Sequence, residues 1–345
     1  MPIVRVAAAL LVPVLAAAVV SRRRQAPHRL FRWAGRVVAI TGGSRGLGLV
    51  LARELAARNA RVALIARDEA ELARARAAVP DGRILTVPCD VRDPRQAQAA
   101  VDHIVAEWGR LDVLINNAGV IVSAPFVETN DDDFRDLLDV HFWGTLHMSR
   151  AALPHLGRSG AGRLVNITSI GARVPVPHLA AYCASKFAQA GLSGVMAEEL
   201  RGSGVRVVTV YPGLMRTGSH LNAAFKGDLA AEFAWFSAVA TLPGLSMGAE
   251  RAARAILRGI ARGRADVVVP FTTRQLARVA ALAPRLTLRA LAAVNRLLPT
   301  GDRRRAALTR VRGADIGLAA PLRALAVLGE RAADRNNERG ARRLV

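Results

Sequence analysis

The stretch Arg36 to Gly48, "RVVAITGGSRGLG", decides the fold. An apolar run rich in Val stops at Thr41, the segment "TGGSRGLG" (Thr41 to Gly48) turns, and residues Arg45–Arg58 continue with a 3.6-residue periodicity. That order reads as strand, glycine turn, helix. Gly42, Gly46 and Gly48 let the backbone turn tightly and let a pyrophosphate approach closely, while the helix N-terminus offers free N–H groups and a favourable dipole. Ser44, Arg45 and Leu47 stand between those glycines and complete the candidate cradle. A tight turn with no ligand is the competing explanation.

Working outward, similar apolar runs recur: "RVALIA" at 61–66, "RILTVP" at 83–88, "DVLINN" at 112–117, "RLVNIT" at 163–168, "VRVVTVY" at 205–211 and "DVVVP" at 266–270. Helical periodicity fills most of the gaps, as over Asp93–Trp108. Strands buried on both faces and alternating with helices predict an α/β fold, a doubly wound parallel sheet of about seven strands in one domain. No internal repeat is evident. The chain divides on paper into a hydrophobic and basic N-terminal segment at 1–30, a catalytic domain at 31–272 and a basic, partly amphipathic extension at 273–345.

The second strand ends at Ala66, followed by Arg67. An acid at that tip would bind the 2′-hydroxyl of NAD. Arg67 and Arg45 instead suit the 2′-phosphate of NADP. Because the chain holds 47 arginines, an arginine there can be accidental, and NAD stays the alternative. Asp68 reads as the start of the next helix.

Further motifs follow in order: "CDV" at 89–91, "NNAG" at 116–119, "ITS" at 167–169, "YCASK" at 182–186 and "YPGLMRTG" at 211–218. With the glycine turn they resemble the short-chain dehydrogenase/reductase family, over about Gly35 to Val269. The resemblance implies a Rossmann-type sheet and an oxidoreductase that moves a hydride between NADP(H), less favourably NAD(H), and a carbonyl or alcohol. It implies that Asp90 and Val91 contact the adenine. Asn116, Asn117, Ala118 and Gly119 line the cofactor channel, and Pro212, Gly213 and Thr217 close over the nicotinamide. Ser169, Tyr182 and Lys186 are the implied catalytic set, with Tyr182 and Lys186 also touching the cofactor. No metal is implied.

Physical chemistry agrees with those roles. A developing alkoxide needs a proton, and a phenol of pKa about 10 is poorly matched to neutral pH. Bringing it near 7 takes about 4 kcal/mol, which a nearby cation and the oxidised nicotinamide can supply. Lys186 follows Tyr182 by four residues, on the same helix face, and is one of only two lysines, the other being Lys226. Lysine is compact and relays protons, whereas arginine does not deprotonate. Ser169 can hold the carbonyl oxygen beside Tyr182. One position departs from the family: His141 stands where an asparagine is expected. An imidazole titrating near pH 6.5 would set part of an acid limb, or it points away and the relay is altered.

The region Leu214 to Met247 should cover the substrate. It holds Phe225, Phe233, Trp235 and Phe236 in a chain only 4% aromatic. An apolar lid favours a lipophilic alcohol, ketone or aldehyde, unless those rings merely pack the lid.

The net charge of +22 sits at the ends. Residues 1–36 carry seven arginines and no acid, and residues 273–345 carry 16 arginines against five acids. Basic ends suggest an anionic surface, or simply solvated charge and coding bias. Val6 to Val20 is an uncharged apolar run of 15 residues, about 22 Å as a helix against a hydrocarbon core of roughly 30 Å. A membrane anchor, a signal peptide and a docked N-terminus all fit it. An anchor followed by Arg22, Arg23 and Arg24 leaves the main domain on the cytoplasmic face; otherwise the protein is cytoplasmic. From Thr273 a basic amphipathic pattern can lie on a membrane, pack on the main domain or meet a partner subunit. The last stretch, "ERAADRNNERGARRLV", reads as solvated. Two cysteines, Cys89 and Cys183, show no disulfide or metal-ligand pattern. Family members pair through their fourth and fifth helices, which implies a homo-oligomer. A non-catalytic NADP sensor on the same fold is the main rival. A nucleic-acid binder draws only on the basic tails and lacks any recognised module.

Overall fold

The computed structural model describes residues 30–80, 82–244, 246–300, 307–317 and 320–339, with only the backbone at 307, 308 and 320–326. The described fold lies within one compact unit, Arg32–Val345. The apolar run at 6–20 therefore lies outside the described residues. No described helix is long and apolar enough to cross a membrane.

In chain order the elements are β1 (Val37–Thr41), α1 (Gly46–Ala56), β2 (Arg61–Ala66), α2 (Glu69–Ala77), β3 (Arg83–Pro88), α3 (Pro94–Trp108), β4 (Val113–Asn116), β5 (Val122–Ser123) and α4 (Asp131–Leu138). A π-helical turn, Asp139–Trp143, leads into α5 (Gly144–Arg158). Then come β6 (Gly162–Ile167), α6 (Ala180–Glu199), β7 (Val205–Pro212), β8 (Met215–Arg216), β9 (Ala224–Gly227), α7 (Leu229–Thr241), β10 (Met247–Gly248), α8 (Ala249–Ala261) and β11 (Asp266–Val269). The extension adds α9 (Phe271–Leu282), α10 (Pro284–Asn295), β12 (Ala307–Arg312) and α11 (Ala320–Arg335).

The seven apolar runs form one parallel sheet in the order β11-β7-β6-β4-β1-β2-β3. β1 and β4 are buried at every position, which is why they read as continuous apolar runs. The order reverses between β1 and β4, and ligands of such sheets bind at that switch point, beyond the strands' C-terminal ends. A buried polar seam locks α5 and α6 to the sheet. Asn116 Nδ2 donates to Ser149 Oγ (3.1 Å) and Asn166 Oδ1 (2.9 Å), Asn166 Nδ2 donates to Ser193 Oγ (2.8 Å), and Ser193 bonds Thr209 (2.7 Å). This connected run of buried hydrogen bonds favours one arrangement, and here it sets the height of α6, which carries Tyr182 and Lys186.

The C-terminal extension is not a separate body. β12 pairs antiparallel with β9, and β9 pairs parallel with β5, making a three-stranded sheet. The final stretch, expected to be solvated, instead ends α11 with Ala332, Ala333, Asn336 and Glu338 buried. The polar composition misled, because these groups find partners far away in the chain, Asn336 at the Thr217 carbonyl and Glu338 at Asn222 Nδ2.

Candidate active site

The turn after β1 is locked to the turn after β4. Asn117 Nδ2 donates to the carbonyls of Thr41 (3.0 Å) and Gly42 (3.1 Å), while Thr41 Oγ1 accepts from the N–H groups of Asn117 (2.9 Å) and Ala118 (3.0 Å). Gly42 has φ 61°, and a methyl group there would lie 2.9 Å from Ala118 Cα. At Gly48 a methyl would lie 2.1 Å from the Gly42 carbonyl oxygen. The turn therefore stays bare and low at the start of α1, the shape a pyrophosphate needs. The backbone from Gly42 to Gly48 would hold the phosphates of a dinucleotide.

Around it the charged residues are partly committed to one another. Arg45 Nη1 lies 2.9 Å from Glu71 Oε1, and its Nε lies 3.7 Å from Glu338 Oε2. Ser44 Oγ donates to Glu71 Oε2 (2.9 Å). Arg67, at the tip of β2, is half exposed with Asp90 4.0 Å away. Burial works to raise the Asp90 carboxyl, but hydrogen bonds from Arg92 outweigh it and hold the carboxyl below its usual range. Val91 is buried, packed under Gly144.

Ser169, Tyr182 and Lys186 converge. One point beside Gly171, where a methyl would sit, is 3.5 Å from Ser169 Oγ and 3.3 Å from Tyr182 Cε1. Lys186 Nζ lies 5.9 Å from the centre of the Tyr182 ring. It donates to the Ile167 carbonyl (3.1 Å) and Gln189 Oε1 (3.0 Å), and 3.7 Å away is the position of a methyl at Gly119. Burial pushes the ammonium down to about 7. It pushes the Tyr182 phenol up to about 12, against the hydrogen bond of Ser169, with Cys183 adding to the rise. The expected lowering of the phenol by its lysine is thus absent from the protein alone. Desolvation is the largest cause, and the Ser169 hydrogen bond only partly offsets it.

His141 does not titrate as expected. Its Nε2 accepts from the Val120 N–H (3.1 Å) and its Nδ1 meets Ser185 Oγ (2.8 Å), which donates to the Tyr182 carbonyl (2.9 Å). Those partners require the neutral ring with its proton on Nδ1. Burial, then the charge of Lys186, hold its pKa well below the ordinary value. An acid limb near pH 6.5 from this ring does not fit. The ring instead ties Val120 to α6, edge-on to Tyr182 at 5.6 Å.

The lid begins where the Gly213 N–H donates to the Val269 carbonyl (2.7 Å), beyond Pro212 at the end of β7. Thr217 is buried, and its carbonyl accepts from Asn336 Nδ2 (3.1 Å). Phe225, Phe233 and Phe236 are buried against one another, with ring centres 5.3 and 5.5 Å apart. They pack the lid and do not present an apolar wall, so the aromatic count alone says nothing about the substrate. Sequence reasoning missed Glu232, which is fully buried and collects His178 Nδ1 (2.6 Å), Ser123 Oγ (3.1 Å) and Trp235 Nε1 (2.9 Å). An acid among Ala, Phe and Trp on one helix was the available signal.

A glycine cradle at the switch point of a doubly wound sheet, beside a Ser–Tyr–Lys cluster, defines a nucleotide-binding oxidoreductase. The sequence model described as short chain dehydrogenase matches residues 36–225, and the chain belongs to that family. D-threitol dehydrogenase of Mycolicibacterium smegmatis is 38% identical over 189 residues, 54% of this chain and 73% of its own length. The 11-beta-hydroxysteroid dehydrogenase-like 2 protein of Arabidopsis thaliana is 33% identical over 240 residues, 68% of this chain and 74% of its own. Among solved structures, a short chain dehydrogenase from Burkholderia cenocepacia in complex with NADP is 30% identical with TM-score 0.62, covering 78% of this chain and all of that one. A Burkholderia phymatum family member in complex with NAD, 24% identical with TM-score 0.67 over 74% of this chain and 96% of its own, shares the fold.

Proposed function

We propose that this protein interconverts a ketone or aldehyde and its alcohol, with NADP(H) preferred over NAD(H). The bound nicotinamide supplies or accepts the hydride. Tyr182 gives the carbonyl oxygen its proton, or takes it back in oxidation, and Ser169 holds that oxygen. Lys186 sits close enough to Tyr182 to stabilise the phenolate and pass the proton onward. The convergence of Ser169 Oγ and the Tyr182 ring on one point, with Lys186 Nζ 5.9 Å from the centre of that ring, carries this reading. Ala66 and Arg67 at the tip of β2 support NADP, since the strand ends on alanine and arginine and not on an acid that would hold the 2′-hydroxyl of NAD.

A lipophilic substrate and the cytoplasmic face of a membrane are proposed together. The support is the α9–α10 pair. Residues 271–297 carry five arginines and no acid, and Phe271, Leu282, Leu286 and Leu297 are each more than 60% exposed on it. Apolar side chains beside a ring of cations suit an anionic bilayer surface. Self-association through the outward faces of α5 and α6 belongs to the same proposal.

The test is a screen of alcohols and ketones with both dinucleotides, with Tyr182→Phe as the control. Turnover should fall by about 10²–10⁴-fold in the variant, with dinucleotide affinity unchanged. Equal turnover by wild type and variant would remove the assigned role of Tyr182.

A further inference from the structure

The chain's own C-terminal segment lies in the phosphate cradle. After α11 the backbone passes through a left-handed residue, Asn337 (φ 60°), and lays residues 335–339 across the glycine turn. The Gly46 N–H, first in α1, donates to the Asn336 carbonyl (2.9 Å). Asn337 Nδ2 donates to the carbonyls of Ser44 (2.9 Å) and Glu71 (3.1 Å), and its Oδ1 accepts from Arg74 Nε (3.0 Å). Arg53 Nη2 donates to the Arg335 carbonyl (2.7 Å). On the lid side, Asn336 Nδ2 reaches Thr217, and Asn222 Nδ2 donates to Glu338 at both its carbonyl (2.8 Å) and Oε2 (2.5 Å). Asn336 is fully buried and Glu338 is 4% exposed.

The glycine turn meets this segment as it would meet an anion. A methyl at Gly46 would lie 2.6 Å from Glu338 Oε1, so a carboxyl oxygen rests on the face a phosphate needs bare. Arg45, the candidate partner of a 2′-phosphate, is flanked by Glu71 and Glu338. A carbonyl on a helix N-terminal N–H and a carboxyl over a glycine turn use the groups that otherwise bind phosphate oxygens. Both cannot be there at once. Burial raises the Glu338 carboxyl to about 7, against the charge of Arg45 and the hydrogen bond from Asn222.

We propose that residues 336–339 form an intramolecular strap that competes with the dinucleotide for the phosphate cradle, a device that rests on the cofactor reading above. The strap must lift before the cofactor binds, so the apparent dissociation constant rises by the inverse of the fraction of molecules with the strap open.

The experiment measures NADPH and NADH affinity by titration calorimetry for the full chain, a chain ending at Arg335, and the full-length variant Asn337→Gly. That variant keeps the left-handed backbone and loses three side-chain hydrogen bonds, so it tests the strap even if the shortened chain does not fold. Both changes should tighten binding, by about tenfold or more for the truncation. A peptide of residues 330–345 added to the shortened chain should weaken binding again in competition with the dinucleotide. Unchanged affinity in both overturns the strap alone, and weaker binding shows that the segment is a wall of the cofactor site instead. If no form binds either dinucleotide, the cofactor reading itself falls and the strap with it.

Discussion

Both lysines of this chain are buried, but they are not equivalent. Lys226 meets Asp133 at 2.8 Å, while among the described residues Lys186 donates to a carbonyl and an amide oxygen and to no carboxylate. A cation buried without a counter-ion costs stability. The folded pKa of Lys186 is lowered to about 7 from 10.5. The unfolded chain therefore binds one more proton between those values, and stability rises with pH across that window. Replacing Lys186 with Met should abolish turnover yet stabilise the cofactor-free protein at pH 7, on the order of 3–5 kcal/mol. The gain should shrink toward pH 10 in denaturant titrations, and a destabilised variant would refute the argument. His141 acts with the same sign in acid. Its folded pKa lies below 6.5, so the unfolded chain alone takes up a proton as pH falls past that value, and stability drops. Relative to wild type, His141→Asn should flatten that loss by up to roughly 1.4 kcal/mol per pH unit between pH 6.5 and 5.5. Parallel stability curves for the two proteins would mean the ring is not held neutral.

At the scale of elements, Asp133 joins three of them. It lies in the first turn of α4, where its N–H donates to Asn130 Oδ1, and it accepts from Lys226 on β9 and from Arg310 on β12 (2.7 Å). Burial works to raise its carboxyl, and those partners outweigh it and keep it below the usual range. Its contribution is therefore present at neutral pH and lost as pH falls through that lowered value. Asp133→Asn leaves two cations facing a neutral amide, at a cost of about 3–5 kcal/mol. Thermal unfolding is the measurement, and a loss below about 1 kcal/mol would mean that the pairs are worth no more than surface ones. The π turn at 139–143 places His141 under Val120 within an otherwise continuous helix, an irregularity of the kind often found at functional sites. Its position was not legible, since the surrounding apolar periodicity runs on unbroken.

At the scale of the whole molecule, the described basic extension divides its work. β12 and α11 complete the lid, while α9 and α10 leave Leu, Val and Phe side chains in solvent among arginines. If that face meets a bilayer, the protein should sediment with anionic phosphatidylserine vesicles and be released by high salt, because the charge term is screened. Replacing Leu282 and Leu286 together with Ser should weaken that binding while leaving the melting temperature nearly unchanged, since both side chains are already exposed. Equal binding to neutral and anionic vesicles would count against the role of the arginines.

The sequence by itself determined the sheet, because strands buried on both faces must be continuous apolar runs, and all seven were readable from Val37 to Val269. It also set Tyr182 and Lys186 on one face of α6, because residues four apart on a helix share a face whatever the rest of the chain does, whereas Ser169, outside that helix, reaches them only through the fold. Only the tertiary structure decided the protonation of His141, the inward packing of Phe225 and Phe233, and the docking of Asn337 on Ser44 across 293 positions of sequence. Those outcomes depend on desolvation and on partners brought together by folding, and neither leaves a periodic trace in the chain.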